Sequence, residues 1–130
     1  MIGQRFYLDK YKWSVVVLYN ANHNDVEFIQ DNLSKICDNK QQIKDSTYYI
    51  EQQIPNTGFI FSNLNINVSL IIIGEFTSNK EFINTIVHEA NHLQSHIATK
   101  YNIDEKGEEV CYLIGEIVER MYAVFKKIIL

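Results

Sequence analysis

His88, Glu89 and His92 form the tightest cluster of chemically capable side chains in the sequence, within the run HEANH. On a helix, histidines four residues apart sit about 40° apart around the axis, with Glu89 about 60° beyond His92. Both imidazoles then project from one side with a carboxylate beside them. Two neutral imidazoles one turn apart can ligate the same tetrahedral zinc ion, and a glutamate directly after the first lies beside the water that such an ion binds. Zinc held this way lowers the pKa of water from about 15.7 towards 7 and polarises a scissile carbonyl. Glu89 can then take the proton and deliver it to the leaving amine. The plainer reading is a pair of solvent-facing histidines next to a surface glutamate.

A catalytic zinc site usually has three protein ligands and a water. His96 continues the four-residue spacing, but on a straight helix it lies about 12 Å along the axis from His88. No glycine among Leu93, Gln94 and Ser95 turns the chain back. His96 is therefore expected at the margin of the site or beside a ligand. Glu108 and Glu109 open a later helical pattern, GEEVCYLIGE. Glu109 shares its face with Glu116 and Arg120, a solvated strip. Glu108 lies near Gly115 and Cys111, where small residues would let the helix approach HEANH closely. A carboxylate in a first helical turn is also favoured in its ionised form by the helix dipole. The stretch from Lys100 to Gly107 can span more than roughly 20 Å when extended, so a return to the metal is sterically possible. Glu108 is the expected third ligand, with Glu109 as the alternative.

These side chains need elements to hold them. Ser78 followed by Glu81 forms a capping box that starts a helix running to about Thr99. Along it Phe82, Ile86, Ala90, Leu93 and Ile97 fall within about an 80° arc, a core-facing stripe distinct from the histidine face. A last helix runs from about Glu105 or Lys106 nearly to the end of the chain. Upstream, Tyr11 to Leu18 reads as a strand, and VEFIQDNLSKIC as a helix with Asn24 or Asp25 as N-cap. Residues 38 to 56 are polar and irregular. TGFIFS and VSLIIIG read as two more strands joined by the short turn NLNIN, a hairpin. The order predicts one small α+β domain over residues 1–130: an antiparallel or mixed sheet packed against the HEANH helix and a long C-terminal helix.

Bulk composition narrows the function classes. The chain has 130 residues, 46% apolar and 22% charged, enough for one core and too few for two. A net charge of −4 without a dense basic stripe argues against nucleic acid as the main partner. No apolar run approaches the roughly 20 residues that span a bilayer, and the N-terminus does not read as a signal peptide. Two cysteines, Cys37 and Cys111, make no disulfide framework and fit helix packing in a reduced compartment. The expected location is the cytoplasm of a bacterial host, or a virion.

The HExxH run followed by a glutamate that opens a second helix resembles the gluzincin-type zinc metallopeptidases. The likeness is closest to very small versions predicted in bacteriophages and mobile elements, which pair a "HE..H" helix with an "E..AYL.GY" helix. EEVCYLIGE fits that pattern with Cys111 in the alanine position, and the likeness covers roughly residues 67 to 121. It implies a minimal zincin-like fold, with His88, His92 and Glu108 as zinc ligands and Glu89 as general base. HEANHLQSH bears a weaker likeness to the ImmA/IrrE metallopeptidases, but no helix-turn-helix partner is visible. The gap from His92 to Glu108 is short for a gluzincin of thermolysin type.

A polypeptide substrate is expected to bind by adding a strand to a sheet edge supplied by LIIIG or FIFS. Tyr112 and Tyr101 are the candidate donors to a developing oxyanion, while His23 reads as an exposed loop residue. The rival class is a catalytically silent metal scaffold, or a phage structural or host-interaction protein. The wide apolar face of the last helix, from Val110 to Ile128, would serve such a role as a docking or homodimer surface. An intact HExxH favours activity, since a scaffold has no use for Glu89.

Overall fold

The two most apolar segments, WSVVVLYNA and VSLIIIG, pair in parallel at the centre of a four-stranded sheet. The computed structural model describes residues 1–129. Its strands are β1 (Ile2–Leu8), β2 (Trp13–Ala21), β3 (Gly58–Asn63) and β4 (Val68–Gly74), in the order β1-β2-β4-β3. The β1–β2 and β3–β4 pairs are antiparallel hairpins, so the sheet is mixed. Central strands buried on both faces read as continuous apolar runs, which explains why β2 and β4 stand out in the sequence. Strand β1 does not: IGQRFYL is half-exposed, and the first strand legible in the sequence is the one beginning at Tyr11.

Alternate side chains of the sheet feed two cores. Trp13, Val15, Val17 and Tyr19 of β2, with Ile71 and Ile73 of β4, face the two long helices, α4 (Asn79–Tyr101) and α5 (Glu108–Phe125). Leu18, Ala21, Leu70 and Ile72 face a layer made of α1 (Val26–Ser34), α2 (Lys40–Ser46) and α3 (Tyr48–Glu51). Helices α2 and α3 occupy residues that the sequence presents as polar and irregular. They are short and carry few buried residues, Ile50 foremost, so no apolar period marks them. The architecture is α+β, with helices on both faces of the sheet. Among the described residues no helix is long and apolar enough to cross a membrane.

Helix α4 begins at the expected N-cap, with one half of the capping box formed: the Ser78 hydroxyl accepts from the Glu81 amide at 3.1 Å. It ends at Asn102, whose left-handed backbone closes the helix. Phe82, Ile86, Ala90, Leu93 and Ile97 are all fully buried, so the stripe read from the sequence is the face that packs on the sheet. The turn between β3 and β4 uses Asn63, whose side chain accepts from the Asn65 amide, and Asn67, which adopts a left-handed conformation. Asn67 also donates to the Lys12 carbonyl and the Tyr101 hydroxyl, tying this hairpin to the first one and to the end of α4.

Candidate functional site

With its apolar stripe spent on the sheet, α4 leaves His88 and His92 exposed on its outer side. Their Nε2 atoms lie 3.1 Å apart, and the rings are nearly perpendicular at 77°. Two ligands of a tetrahedral zinc at 2.0–2.1 Å from each nitrogen are about 3.3 Å apart. The pair therefore already holds nearly the spacing that a shared ion requires, and two imidazoles fit zinc in their chemistry as well.

Glu89 is not the surface carboxylate of the plainer reading: it is 3% exposed, tucked between α4 and β3. A Cβ built on Gly58 would lie 2.9 Å from Glu89 Cγ and 3.0 Å from its Oε1. The other carboxylate oxygen, Oε2, is buried without a hydrogen-bond partner among the described residues. Burial pushes the Glu89 carboxyl up to about 7. A buried, unpaired carboxylate is costly unless something charged or protic meets it. Glu89 lines one groove with His88, His92, His96, Gly58, Phe59 and Ile60.

The wall of that groove is β3, the strand at the end of the sheet. All six of its residues are half-buried. The Gly74 amide donates to the Thr57 carbonyl at 2.9 Å, and this sets the alternation along the hairpin. Gly58, Ile60 and Ser62 therefore direct their own N–H and C=O groups away from β4, towards the open edge. Of the two segments expected to offer an edge, FIFS does so and LIIIG is interior.

His96 lies on the same groove and continues inward through hydrogen bonds. Its Nδ1 is 2.6 Å from the Ser62 hydroxyl, which is 2.6 Å from the Ser69 hydroxyl, which accepts from Trp13 Nε1 at 2.8 Å. Burial first, and then the charge of His92, holds the His96 imidazole below its ordinary range.

Glu108 is elsewhere. Helix α5 packs over β1, with Arg120 bonded to the Tyr7 carbonyl and Gln4 to the Arg120 carbonyl. It thus flanks α4 on the side away from β3. Glu108 and Glu109 line a second cleft with Lys10, Tyr11 and Tyr112. The face assignment inverts as well. Glu109, not Glu108, is engaged: it accepts from the Tyr11 hydroxyl at 2.7 Å and lies 3.4 Å from Lys10 Nζ. Cys111 and Gly115 are exposed, and a Cβ on Gly115 would meet nothing within 4 Å. Small residues there do not mark a close helix approach. Among the described residues, no three His, Cys, Asp or Glu side chains are grouped so as to hold one metal ion.

The remaining candidates sort simply. Tyr112 is 77% exposed on the second cleft, and the Tyr101 hydroxyl donates to the Tyr11 carbonyl, so neither faces the histidines. His23 is exposed in a turn, and Cys37 is buried. The apolar face of α5 is largely consumed inside the fold: Val110, Leu113, Ile117, Met121 and Phe125 are buried, and Ile128 packs against the same core. The residues that sequence reasoning missed are Gly58, Ser62, Ser69 and Trp13. Only Gly58 carried a signal, since a lone glycine opening an apolar strand often marks a close approach. Comparison with family models, with curated proteins and with solved structures finds no match to this chain.

Proposed function

We propose that the chain is a zinc-dependent peptidase built on a minimal zincin-like domain, with His88 and His92 as zinc ligands and Glu89 as general base. One observation carries the reading: two convergent imidazole Nε2 atoms stand beside a buried carboxylate whose Oε2 lacks a partner, under an open strand edge. Zinc, when bound, supplies a Lewis acid that makes water nucleophilic near neutral pH and polarises a carbonyl. The chain's own residues do the rest. The outward N–H and C=O groups of Gly58 and Ile60 hold an extended polypeptide as a fifth strand. Glu89 accepts a proton from water and returns it to the leaving amine; a carboxyl raised to about 7 is poised for both transfers.

A second reading, the catalytically silent metal scaffold, is favoured by the position of Glu108 outside the groove. A single variant separates the two. Glu89→Gln keeps the shape and volume of the side chain and leaves both histidines in place. On the peptidase reading it retains zinc and loses cleavage of flexible polypeptides by about 10²–10⁴ in rate. Wild type and Glu89→Gln that are equally inert across a broad peptide library, with zinc bound in both, would establish the scaffold instead.

A further inference from the structure

The hydrogen-bond chain behind His96 has a direction, and that direction decides what His96 can do. The indole Nε1–H of Trp13 can only donate, so the Ser69 hydroxyl oxygen is an acceptor at 2.8 Å. Ser69 is fully buried, and its own proton has one acceptor in reach, the Ser62 oxygen at 2.6 Å. Ser62, having accepted from Ser69, has one acceptor for its own proton among the described residues, His96 Nδ1, also at 2.6 Å. Reversing both of the last two bonds would leave the Ser69 proton buried without an acceptor, and reversing only the last would leave the half-buried Ser62 proton with none in the protein.

We propose that the Trp13–Ser69–Ser62 chain fixes His96 as the neutral Nε2–H tautomer, making it a hydrogen-bond donor to the groove rather than a zinc ligand. An imidazole that ligates a metal through Nε2 needs its Nδ1 to donate, the reverse of what this chain enforces. The ring lines the groove beside His92, with 6.5 Å between ring centroids. Its Nε2–H is the donor available there to a substrate carbonyl and to the negative charge that develops on it, a role that neither Tyr101 nor Tyr112 is placed to fill. Ser62 adds a second link: it belongs to β3, so the strand that would receive the polypeptide also orients the donor. The tautomer stands independently of the peptidase reading; its action on a carbonyl rests on it.

The test has two arms. Long-range ¹⁵N–¹H correlation spectra of the metal-free protein near neutral pH report the tautomer of each histidine. Wild type should show His96 protonated at Nε2 and bare at Nδ1, whereas Ser69→Ala should show a mixture of tautomers. An Nδ1–H tautomer or an imidazolium in wild type overturns the proposal, as does a Ser69→Ala spectrum identical to wild type. In the second arm, zinc content and peptide cleavage are measured for His96→Leu and His96→Gln. Both should bind as much zinc as wild type. His96→Leu should lose about 10²–10³ in kcat with KM within about threefold, and His96→Gln, which restores an N–H, should recover part of that loss. Zinc loss in both variants would make His96 a ligand and end the proposal. If wild type with zinc bound cleaves nothing, the carbonyl role falls with the peptidase reading, while the spectra still decide the tautomer.

Discussion

Gly58 and Glu89 share one volume: the space where a Gly58 side chain would begin is filled by the Glu89 stem. A Cβ there would also stand 2.7 Å from Thr85 Cγ2. Strand β3 can lie this close to α4 only because residue 58 is glycine, and that closeness is what buries Glu89.

Gly58→Ala should therefore be disproportionate for so small a change. Thr85 is held by its hydroxyl bond to the Glu81 carbonyl, and the Glu89 stem is buried against the same glycine. We expect a loss of about 1–3 kcal/mol in stability, as for other overpacked sites, and displacement of Glu89 towards the groove. Chemical denaturation measures the first. A Gly58→Ala protein as stable as wild type, with Glu89 still buried, would contradict this contact.

The pH dependence of the metal-free protein should carry the mark of Glu89. Its folded carboxyl titrates near 7, above an ordinary value of 4.5, so the folded state prefers the protonated form. Below about pH 4.5 folded and unfolded chains are both protonated here, and the full stability is present. As pH rises the unfolded chain ionises first, and stability falls until the folded carboxyl has also ionised above 7. The loss is on the order of 3 kcal/mol. Melting wild type and Glu89→Gln from pH 4 to 8 without metal isolates it, since the variant should lack this component of the slope.

Zinc should bind at one ion per chain through His88 and His92. Added zinc should raise the melting temperature of wild type, as any ligand selective for the folded state does. Neither the extra stability nor the bound metal should survive in the folded His88→Ala/His92→Ala protein, assayed by metal analysis after gel filtration.

The two glutamates that open α5 should behave differently from each other, but not in zinc binding. Glu108→Ala and Glu109→Ala should both keep wild-type zinc content, because both side chains line the cleft beside Lys10 and Tyr11. A zinc loss confined to Glu108→Ala would mean that the start of α5 reaches the groove when metal binds. Glu109→Ala should lower the Tyr11 hydroxyl from about 12 towards 10, because burial and then the Glu109 carboxylate keep it protonated. Tyrosine titration by NMR reads this shift.

What the sequence made legible is what repeats along it. The five-residue stripe of α4, its Ser78 start and the NLNIN hairpin all follow from local period or local hydrogen bonding. The convergence of His88 and His92 follows from helical geometry alone, needing no tertiary information. Relations between elements were not legible. Whether α5 brings Glu108 or Cys111 towards α4 depends on which strand it crosses, and β1, which anchors it through Gln4 and Tyr7, was itself hidden by its half-exposed pattern. The burial of Glu89 likewise depends on a strand some 30 positions upstream in the chain. Helices α2 and α3 carry too few apolar residues to show a period, yet they close the second face through Ile50 and Ile43.

Every groove residue, and both serines behind it, lies within residues 58–101, one continuous hairpin and helix. Trp13 alone comes from outside, carried in by the parallel pairing of Ser14 and Val15 on β2 with Val68 and Ser69 on β4. The His96 chain is therefore complete only when β2 is paired with β4, although the groove itself is drawn from the hairpin and α4. Trp13 is the only tryptophan and is fully buried, so its fluorescence reports that pairing without any added label.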